Sequence, residues 1–233
     1  MIYFLILFIL FISIAIYFST RCTKSTLPII FKYGSSNPTI LILAGTHGNE
    51  QGPSHALTKF IKNKEIHSIL QKGTYHIVPY VNSDAIKHNT RHTSCQPDIN
   101  RSYPNKNEIN RFLLKYINNA SLIIDFHEAR GFRICSNKQS LGQTISTNNK
   151  QLLPIISHVC ATLNKIYTGC HRWTAIYMNN PDALKGSLEQ YATHKKIPYI
   201  LVETAGQNDI VPLNERITET KIILSEILKS VAT

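Results

Sequence analysis

The sequence predicts an α/β fold with a mixed, mostly parallel central sheet and helices on both faces. Two observations predict this fold class. Four short runs of mainly apolar residues alternate along the chain with stretches whose apolar residues recur at helical spacing. Successive residues of the runs are apolar, which is typical of strands that are covered on both faces of a sheet. About 210 residues follow an initial apolar segment, and this length suits one domain of that class.

The chain begins with an uncharged apolar segment that runs from Ile2 to Phe18. A helix needs about 17–25 apolar residues to cross a bilayer, and this segment is just long enough. A signal peptide is the alternative, although such peptides normally have a basic start and a small-residue cleavage site. We therefore predict an N-terminal transmembrane helix before the domain, with residues 1–20 as a single-pass membrane anchor or an uncleaved signal.

Residues 21–37 are predicted to form a linker with a possible edge strand. Arg21, Lys24 and Lys32 follow the apolar segment, and by the positive-inside tendency they favour a cytoplasmic location for the next domain. The formal net charge of +11 favours anionic partners such as lipid head groups or acidic substrates. Since no basic stripe is interleaved with aromatic residues, nucleic acid is not an expected partner. The five cysteines are scattered without a CxxC pair, which argues against a dense disulfide framework.

Residues 38–233 are assigned to one domain. Residues 81–105 are rich in Asn, Ser, Thr and Pro and predict a long irregular loop, which in a compact domain indicates a functional role. The predicted strands are TILILAG (39–45), TYHIVPYV (74–81), ASLIIDFHEA (120–129) and PYILVETAG (198–206). The predicted helices are GPSHALTKFIKNK (52–64), KNEINRFLLKYI (106–117), QLLPIISHVCATLN (151–164) and NERITETKIILSEILKSVA (214–232).

Side chains that can hold a metal lie at the ends of three predicted strands. His47 and Glu50 follow the first strand, His127 ends the third and Glu203 ends the fourth. Because open α/β sheets bind ligands beyond the carboxyl ends of their strands, these side chains can meet at one rim. Catalytic zinc sites often use two histidines and one glutamate, which His47, Glu50 and His127 offer. Asp125 lies on the same face of its strand as His127 and could orient that ring.

Each of these residues alone has an ordinary structural explanation. A single His-x-x-Glu pair occurs by chance on protein surfaces. A histidine can simply cap a strand, and a glutamate after a strand can be a paired surface charge. Their joint placement at the ends of apolar strands is what indicates a metal site.

Several stretches make the sequence resemble the zinc carboxypeptidase superfamily, and in particular the catalytic domain of its succinylglutamate desuccinylase/aspartoacylase-like branch. GTHGNE (45–50) is similar to the zinc-binding opening of that branch, and LIIDFH (122–127) to the strand with the third ligand. VNSDAIKHNTRHTSCQPDINRSYP (81–104) resembles the family stretch that ends in Asp-Leu-Asn-Arg-x-Phe-Pro. LVETAG (201–206) resembles the strand with the catalytic glutamate, and TAIY (174–177) with GSLEQYA (186–192) the segment whose tyrosine closes over the substrate.

The resemblance implies a zinc-hydrolase catalytic domain with one Zn²⁺ per chain, held by His47, Glu50 and His127. Such an ion polarises the scissile carbonyl and lowers the pKa of a bound water towards about 7. The resemblance also implies that Glu203 takes the proton of the attacking water and returns it to the leaving amine.

The same resemblance implies roles on the substrate side of the site. Arg91 would stabilise the developing oxyanion. Asn100 and Arg101 would clamp a substrate carboxylate, the arginine with its two-pronged guanidinium. Tyr177 would fold over the substrate. The ordinary alternatives are solvated arginines and a packed tyrosine.

Three departures from the family pattern bear on the substrate. Asn82-Ser83 stands where the family has Asn-Pro. The small β-domain that follows the catalytic domain in aspartoacylase has no counterpart after the last predicted helix. The arginine that aspartoacylase carries shortly before its catalytic glutamate also has no clear counterpart. The last two departures argue against N-acetylaspartate itself as the substrate.

The expected function is zinc-dependent hydrolysis of an N-acyl or peptide amide bond next to a free carboxylate, first as a desuccinylase/aspartoacylase-like deacylase. A zinc metallocarboxypeptidase acting on peptides is the alternative. A non-catalytic membrane-anchored binding protein has no need of Glu203, and a basic membrane-surface adaptor leaves the ligand set unexplained. The expected partners are a small acyl-amino-acid or peptide substrate with a free carboxylate, and the membrane through the N-terminal helix.

Overall fold

The structure is a computed structural model that describes residues 25–93, 97–136 and 139–231. Within these ranges no helix is both long enough and apolar enough to cross a bilayer. The predicted anchor, residues 1–20, and the first residues of the predicted linker lie outside the described residues.

In the described part of the chain, a seven-stranded mixed sheet forms the centre of the fold. The strands are β1 (Phe31–Tyr33), β2 (Thr39–Ala44), β3 (Thr74–Val78), β4 (Leu122–Glu128), β5 (Thr144–Thr147), β6 (Thr174–Tyr177) and β7 (Tyr199–Thr204). Their order across the sheet is β1-β3-β2-β4-β7-β5-β6. Strands β3, β2, β4 and β7 are parallel, β1 is antiparallel to β3, and β5 is antiparallel to β7 but parallel to β6.

Helices connect most of these strands. Pro53 lies in the first turn of α1, where its missing N–H costs no hydrogen bond. Asn107 caps α4 by accepting a hydrogen bond from the backbone N–H of Asn110. The helices are α1 (Gly52–Lys62), α2 (Ile66–Ile69), α3 (Ser83–Lys87), α4 (Glu108–Asn118), α5 (Leu153–Leu163), α6 (Leu188–His194) and α7 (Leu213–Val231), with 3₁₀ turns at Ile99–Arg101, Lys150–Leu152, Gly169–His171, Pro181–Leu184 and Gln207–Asp209.

The alternation of side chains along β2 divides the core into two layers. Ile40 and Ile42 pack in the layer that contains residues of α1, α5 and α7. Leu41 and Leu43 pack in the other layer, with residues of α4 and α6. The central strands are buried on both faces for this reason, as their continuous apolar runs predict.

The predicted mixed, mostly parallel sheet with helices on both faces is confirmed. Each of the four predicted strands and four predicted helices is present. Strand β1 lies in the segment 21–37, where an edge strand was predicted. The predicted irregular loop at 81–105 contains the short helix α3 and one 3₁₀ turn, and β5, β6 and α6 were not predicted.

The register of the parallel strands brings their carboxyl ends to one rim. In the pairing of β2 with β4, Ala44 lies opposite Phe126, so the loop after β2 begins beside the end of β4. In the pairing of β4 with β7, His127 lies opposite Glu203. The loops that leave β2, β4 and β7 therefore converge, as the sequence predicts.

Candidate metal centre

The loop between β2 and α1 carries two glycines for steric reasons. Gly45 has a positive φ of 70°, a conformation that other residues adopt at a cost. A Cβ atom added at Gly48 would overlap the backbone of Ala85 in α3. The backbone N–H of Glu50 donates to the carbonyl of His47 at 3.3 Å and closes the turn. The loop is thus pressed against α3, and this contact turns the two polar side chains towards the rim.

His47, Glu50 and His127 meet at this rim with geometry suited to a metal ion. Nδ1 of His47 lies 2.8 Å from Oε1 of Glu50, and Nδ1 of His127 lies 2.8 Å from Oε2 of Glu50. One potential ligand atom from each residue lies within 4.8 Å of the others. Each residue is only 3% exposed. Two imidazole nitrogens and a carboxylate form a donor set that suits zinc.

The far nitrogen of each imidazole faces a second carboxylate. Nε2 of His47 lies 3.1 Å from Oδ1 of Asp98, and Nε2 of His127 lies 3.3 Å from Oδ2 of Asp125. The hydroxyl of Tyr199 donates to the same Asp125 oxygen at 2.8 Å. A proton on each Nε2 leaves the Nδ1 lone pair free for a metal, and the carboxylate increases its basicity.

The charges at this centre favour protonated imidazoles beside an ionised carboxylate. Burial opposes protonation of His127, but Asp125 and Glu50 outweigh it and hold the pKa of His127 well above its usual value. Burial likewise opposes ionisation of Glu50, yet the two imidazoles hold its pKa well below the usual range. A divalent cation would replace these protons as the positive charge at the centre.

Glu203 faces the same centre without being part of the ligand group. It is half-buried and lines the cleft together with His47, Glu50 and His127. Burial raises the pKa of Glu203 to about 8, with Glu50 adding to the increase and His127 opposing it. A nearby cation would lower this pKa and favour the carboxylate, the form that can accept a proton.

The cleft beside these residues has a volume of about 280 Å³. Arg91, Arg101 and Arg130 line it and give its mouth a positive character. Nε and Nη2 of Arg91 donate to Oδ2 of Asp98 at 3.0 and 2.8 Å, and Nη1 lies 3.7 Å from Oε1 of Glu50. Arg91 is therefore held beside the metal centre by Asp98, which also holds one of the histidines.

Asn100 and Arg101, which the family resemblance assigns to a substrate carboxylate, line the same cleft. Oδ1 of Asn100 accepts a hydrogen bond from the backbone N–H of Leu188 at 2.9 Å, so the N–H groups of the amide are what it can offer to a ligand. Nη1 of Arg101 donates to the carbonyl of Asn100 at 2.7 Å. Glu189 is buried in the wall of the cleft. Burial raises the pKa of the Glu189 carboxyl, and the nearby Arg101 cation opposes this increase without cancelling it.

Tyr177 is not among the residues that line the cleft, and its role over the substrate stays a prediction. It ends β6, the edge strand, and β5 separates β6 from β7. Lys150 Nζ lies 5.5 Å from the centre of its ring. The sequence pattern could not show this, because the position of β6 depends on the unpredicted strand β5.

Two residues behind the centre were not identified from the sequence. Asp98 lies in the stretch that carries the family resemblance, and a search for a second carboxylate partner would have found it. Gln207 follows β7, and its Nε2 donates to Oε1 of Glu50 at 3.1 Å and to the carbonyl of Glu128 at 2.5 Å.

A buried ion pair also lies behind the centre. Nη1 of Arg216 donates to both carboxylate oxygens of Glu128, each at 2.9 Å. This buried pair fixes the end of β4 next to His127.

A disulfide fastens one wall of the cleft. Residues 129–130 and 139–141 line the cleft. Cys135, which lies between them in the sequence, is bonded to Cys170 in the 3₁₀ turn Gly169–His171. The two residues are 35 apart in the sequence, with Cα atoms 5.3 Å apart. Cys160 is a free, buried thiol.

Comparison with known protein families supports this reading of the centre. Residues 36–137 match the family model of the succinylglutamate desuccinylase/aspartoacylase catalytic domain. This part of the chain is similar to that family over fewer than half of the 233 residues. The matched segment contains His47, Glu50 and His127, together with the cleft residues Arg91 and Asn100. It ends before β5, so the family match does not extend to the strand that carries the proposed general base.

Solved structures share the fold over most of the chain. The cell shape determinant Csd4 from Helicobacter pylori, in its apo form, superposes with a TM-score of 0.73 at 16% identity, over 87% of this chain and 54% of Csd4. Its mDAP-bound form, described as a D,L-carboxypeptidase, gives 0.71 at 16% over 86% of this chain and 54% of Csd4. The ectoine utilization protein EutE from Ruegeria pomeroyi gives 0.61 at 16% over 86% and 60%.

These structural similarities establish the fold of the chain. The chain spans about half the length of Csd4. The desuccinylase/aspartoacylase family and the D,L-carboxypeptidase neighbour are both hydrolytic and act on amide or peptide bonds. Comparison with curated proteins gave no match.

Proposed function

We propose that this protein is a zinc-dependent amidohydrolase that cleaves an N-acyl or peptide amide bond next to a free carboxylate. The observation that carries the proposal is the convergence of His47, Glu50 and His127 with Glu203 in one cleft. A buried cluster of two imidazoles and one carboxylate, with a second carboxylate half-buried beside it, is costly for stability alone, because the groups lose hydration. Metal-assisted hydrolysis gives each of these groups a role.

The residues divide the chemistry among them. Zinc, when bound, supplies Lewis-acid polarisation of the substrate carbonyl and makes a water more acidic. Glu203 accepts a proton from the attacking water and delivers it to the leaving amine, as a general acid–base must. Arg91 lies beside Glu50 and presents a fixed positive charge where negative charge develops on the carbonyl oxygen.

The cleft mouth supports a substrate with a free carboxylate. Arg101 offers two parallel donors to a carboxylate, and Asn100 adds its amide N–H groups. Arg130 lines the same cleft and strengthens the attraction for anions. These contacts orient the substrate so that its scissile amide lies over the metal centre.

Two substrate classes remain, and different observations favour each. The family match favours an N-acyl amino acid, which makes a desuccinylase/aspartoacylase-like deacylase the first proposal. The likeness to a D,L-carboxypeptidase favours a peptide with a free carboxyl end as the second. Tyr177 gives no support to the peptidase, since it is not among the residues that line the cleft.

We also propose that residues 1–20 anchor the protein in a membrane and that the catalytic domain faces an oxidising compartment. The disulfide between Cys135 and Cys170 supports the second point, because disulfides persist mainly outside the cytosol. This location is opposite to the one that the basic residues after the apolar segment favour. Mass analysis of protein from its native membrane, after thiol alkylation without reductant, tests the location, and alkylation of both cysteines would refute it.

The proposed activity is tested with the full chain in detergent, by zinc analysis and by assays on a panel of N-succinyl and N-acetyl amino acids and short peptides. We expect one zinc per chain, and we expect Glu203→Gln to keep the zinc but lose roughly 10²–10⁴-fold in turnover. Glu226→Gln is a matched control, because Glu226 lies on α7 and pairs with Lys229 at 2.9 Å. Folded protein that takes up no zinc when zinc is supplied would refute the proposal.

A further inference from the structure

An apolar groove separate from the metal centre lies at the β1 edge of the sheet. It encloses about 550 Å³. One wall is the segment 26–31, which we call the strap. The other is formed by α1 and by the connection from β3 to α3, with Ile61 and Lys62 among its residues. Most of the surface that lines the groove is apolar, and Lys62 is the charged side chain among its lining residues.

The strap leaves large apolar side chains in water. Ile29 is 73% exposed, Leu27 is 40% exposed and Phe31 is 37% exposed. Neighbouring exposed side chains of this size are uncommon on soluble domains and mark interaction sites. All three line the groove, so the exposed apolar surface is continuous with an apolar concavity.

The strap is fixed to the domain and keeps the groove open. The backbone N–H and the hydroxyl of Thr26 both donate to the carboxylate of Asp84, at 3.0 and 2.9 Å. At its other end the strap enters β1, where Phe31 pairs with Ile77 of β3. Because both ends are held, the groove does not depend on a ligand for its shape.

The position of the groove along the chain indicates what fills it. The apolar segment of the sequence ends at Phe18, and the strap begins at Thr26. The seven residues between them can span at most roughly 25 Å. If the apolar segment crosses a bilayer, as proposed above, the groove is tethered within that distance of the membrane surface. Arg21 and Lys24 lie between the two in the sequence, and Lys62 lines the groove. Cations close to a membrane anchor are attracted to anionic lipid head groups.

We propose that this groove binds an acyl chain of a membrane lipid, with Lys62 on the anionic head group. The proposal rests on the proposed anchor and is independent of the proposed hydrolysis. Lipid is the occupant that the tether favours, because every anchored molecule has acyl chains within reach of the strap. A bound chain covers the exposed apolar side chains and seats the domain on the bilayer beside its anchor.

The experiment uses the full chain in nanodiscs of phosphatidylethanolamine and phosphatidylglycerol, with a benzophenone amino acid at position 29. The matched control places it at Ile166, which is also exposed (62%). Ile166 follows α5, which packs on β5 and β6 at the opposite edge of the sheet. After irradiation, intact mass shows whether lipid is attached. We expect several-fold more lipid adduct at position 29 than at position 166. Phosphatidylglycerol should be enriched over its share of the nanodisc, and Lys62→Gln should remove that enrichment.

Three results would overturn the proposal. One is equal lipid labelling at the two positions. Another is an adduct at position 29 with residues 1–24 of the same chain or with a second copy of the protein. The third is failure of the full chain to enter nanodiscs, which would refute the anchor as well. Zinc content and turnover are measured separately in detergent, so none of these results bears on the hydrolase.

Discussion

Replacing Glu219 with glutamine should remove a loss of stability that the native protein shows as the pH rises through neutrality. Glu219 lies on α7 and is fully buried. Its Oε1 accepts a hydrogen bond from Nε2 of Gln143 at 2.5 Å, and Gln143 in turn accepts from the backbone N–H of Ala205 at the end of β7. The carboxyl group therefore supports the strand that carries Glu203.

Burial raises the pKa of Glu219 from 4.5 to about 8, with the hydrogen bond from Gln143 acting in the opposite direction. In the unfolded chain the group ionises near its ordinary pKa, whereas in the folded protein it keeps its proton until about pH 8. The folded state thus binds the extra proton between these values, so the free energy of unfolding falls as the pH rises. At 1.36 kcal/mol per pH unit, the full effect is on the order of 5 kcal/mol by pH 8.

Glutamine has the same shape and can still accept the hydrogen bond from Gln143, but it cannot ionise. We expect Glu219→Gln to cost about 1–3 kcal/mol at pH 5, where its buried N–H groups gain no partner and the native carboxyl is neutral. Above pH 8 it should be the more stable protein. Urea unfolding of the metal-free proteins across this range measures the difference. Titration of Glu203 contributes equally to the unfolding free energies of the native protein and of Glu219→Gln, so it cancels in the difference between them.

Glu226→Gln is the control, because Glu226 lies on the same helix but reaches solvent. Its free energy of unfolding should depend on pH in the same way as that of the native protein. Parallel curves for the native protein and Glu219→Gln would refute the reasoning. They would mean that Glu219 has a similar pKa in the folded and unfolded states.

Three further predictions concern the centre and the wall of its cleft. Asp98→Asn should weaken zinc affinity by roughly 10–100-fold, measured by competition with a chelator, because it weakens the partner of His47. Gly48→Ala should lower both thermal stability and zinc affinity, because the added methyl group would push the loop between β2 and α1, which carries His47 and Glu50, away from α3. Cys170→Ser should reduce the free energy of unfolding by roughly 4 kcal/mol, from the loop entropy of a 35-residue separation, measured by urea unfolding without reductant.

Each of these variants has a control elsewhere in the chain. Asp182→Asn changes a carboxylate whose side chain is 74% exposed and should leave zinc affinity unchanged. Gly131→Ala adds a methyl group no closer than 3.7 Å to Ser140 and should be tolerated. Reduction of the native protein should reproduce the loss seen in Cys170→Ser, and unchanged stability after reduction would contradict the role assigned to the disulfide.

The central part of the fold could be predicted because local pattern and burial agree there. Ile40 to Leu43 in β2 are apolar on successive positions, and the strand is covered on both faces. The helix α4 places Ile109, Leu113 and Ile117 on one buried face at helical spacing. In such elements the side chains alone indicate both the secondary structure and the layer in which it packs.

Strand β5 could not be predicted in this way, because three of its four residues are polar although the strand is buried. Thr144, Ser146 and Thr147 are at most 6% exposed. Their burial is possible because distant groups satisfy them, as when the hydroxyl of Thr147 donates to the carbonyl of Tyr199 at 2.8 Å. Without β5, the place of β6 and hence of Tyr177 could not be deduced.

The sequence by itself indicated that His47, Glu50, His127 and Glu203 meet at one rim, and it pointed to Arg91 and Arg101 beside them. These residues stand at the ends of apolar strands or in the polar loop between them, and parallel strands bring their carboxyl ends to one edge. Only the tertiary structure decided that Asp98 joins His47 to Arg91, that Cys135 meets Cys170, that Tyr177 is not among the residues lining the cleft, and that the strap leaves an apolar groove open. The physical reason is that local pattern reports the burial of a segment, whereas partnership between distant side chains depends on how the segments pack.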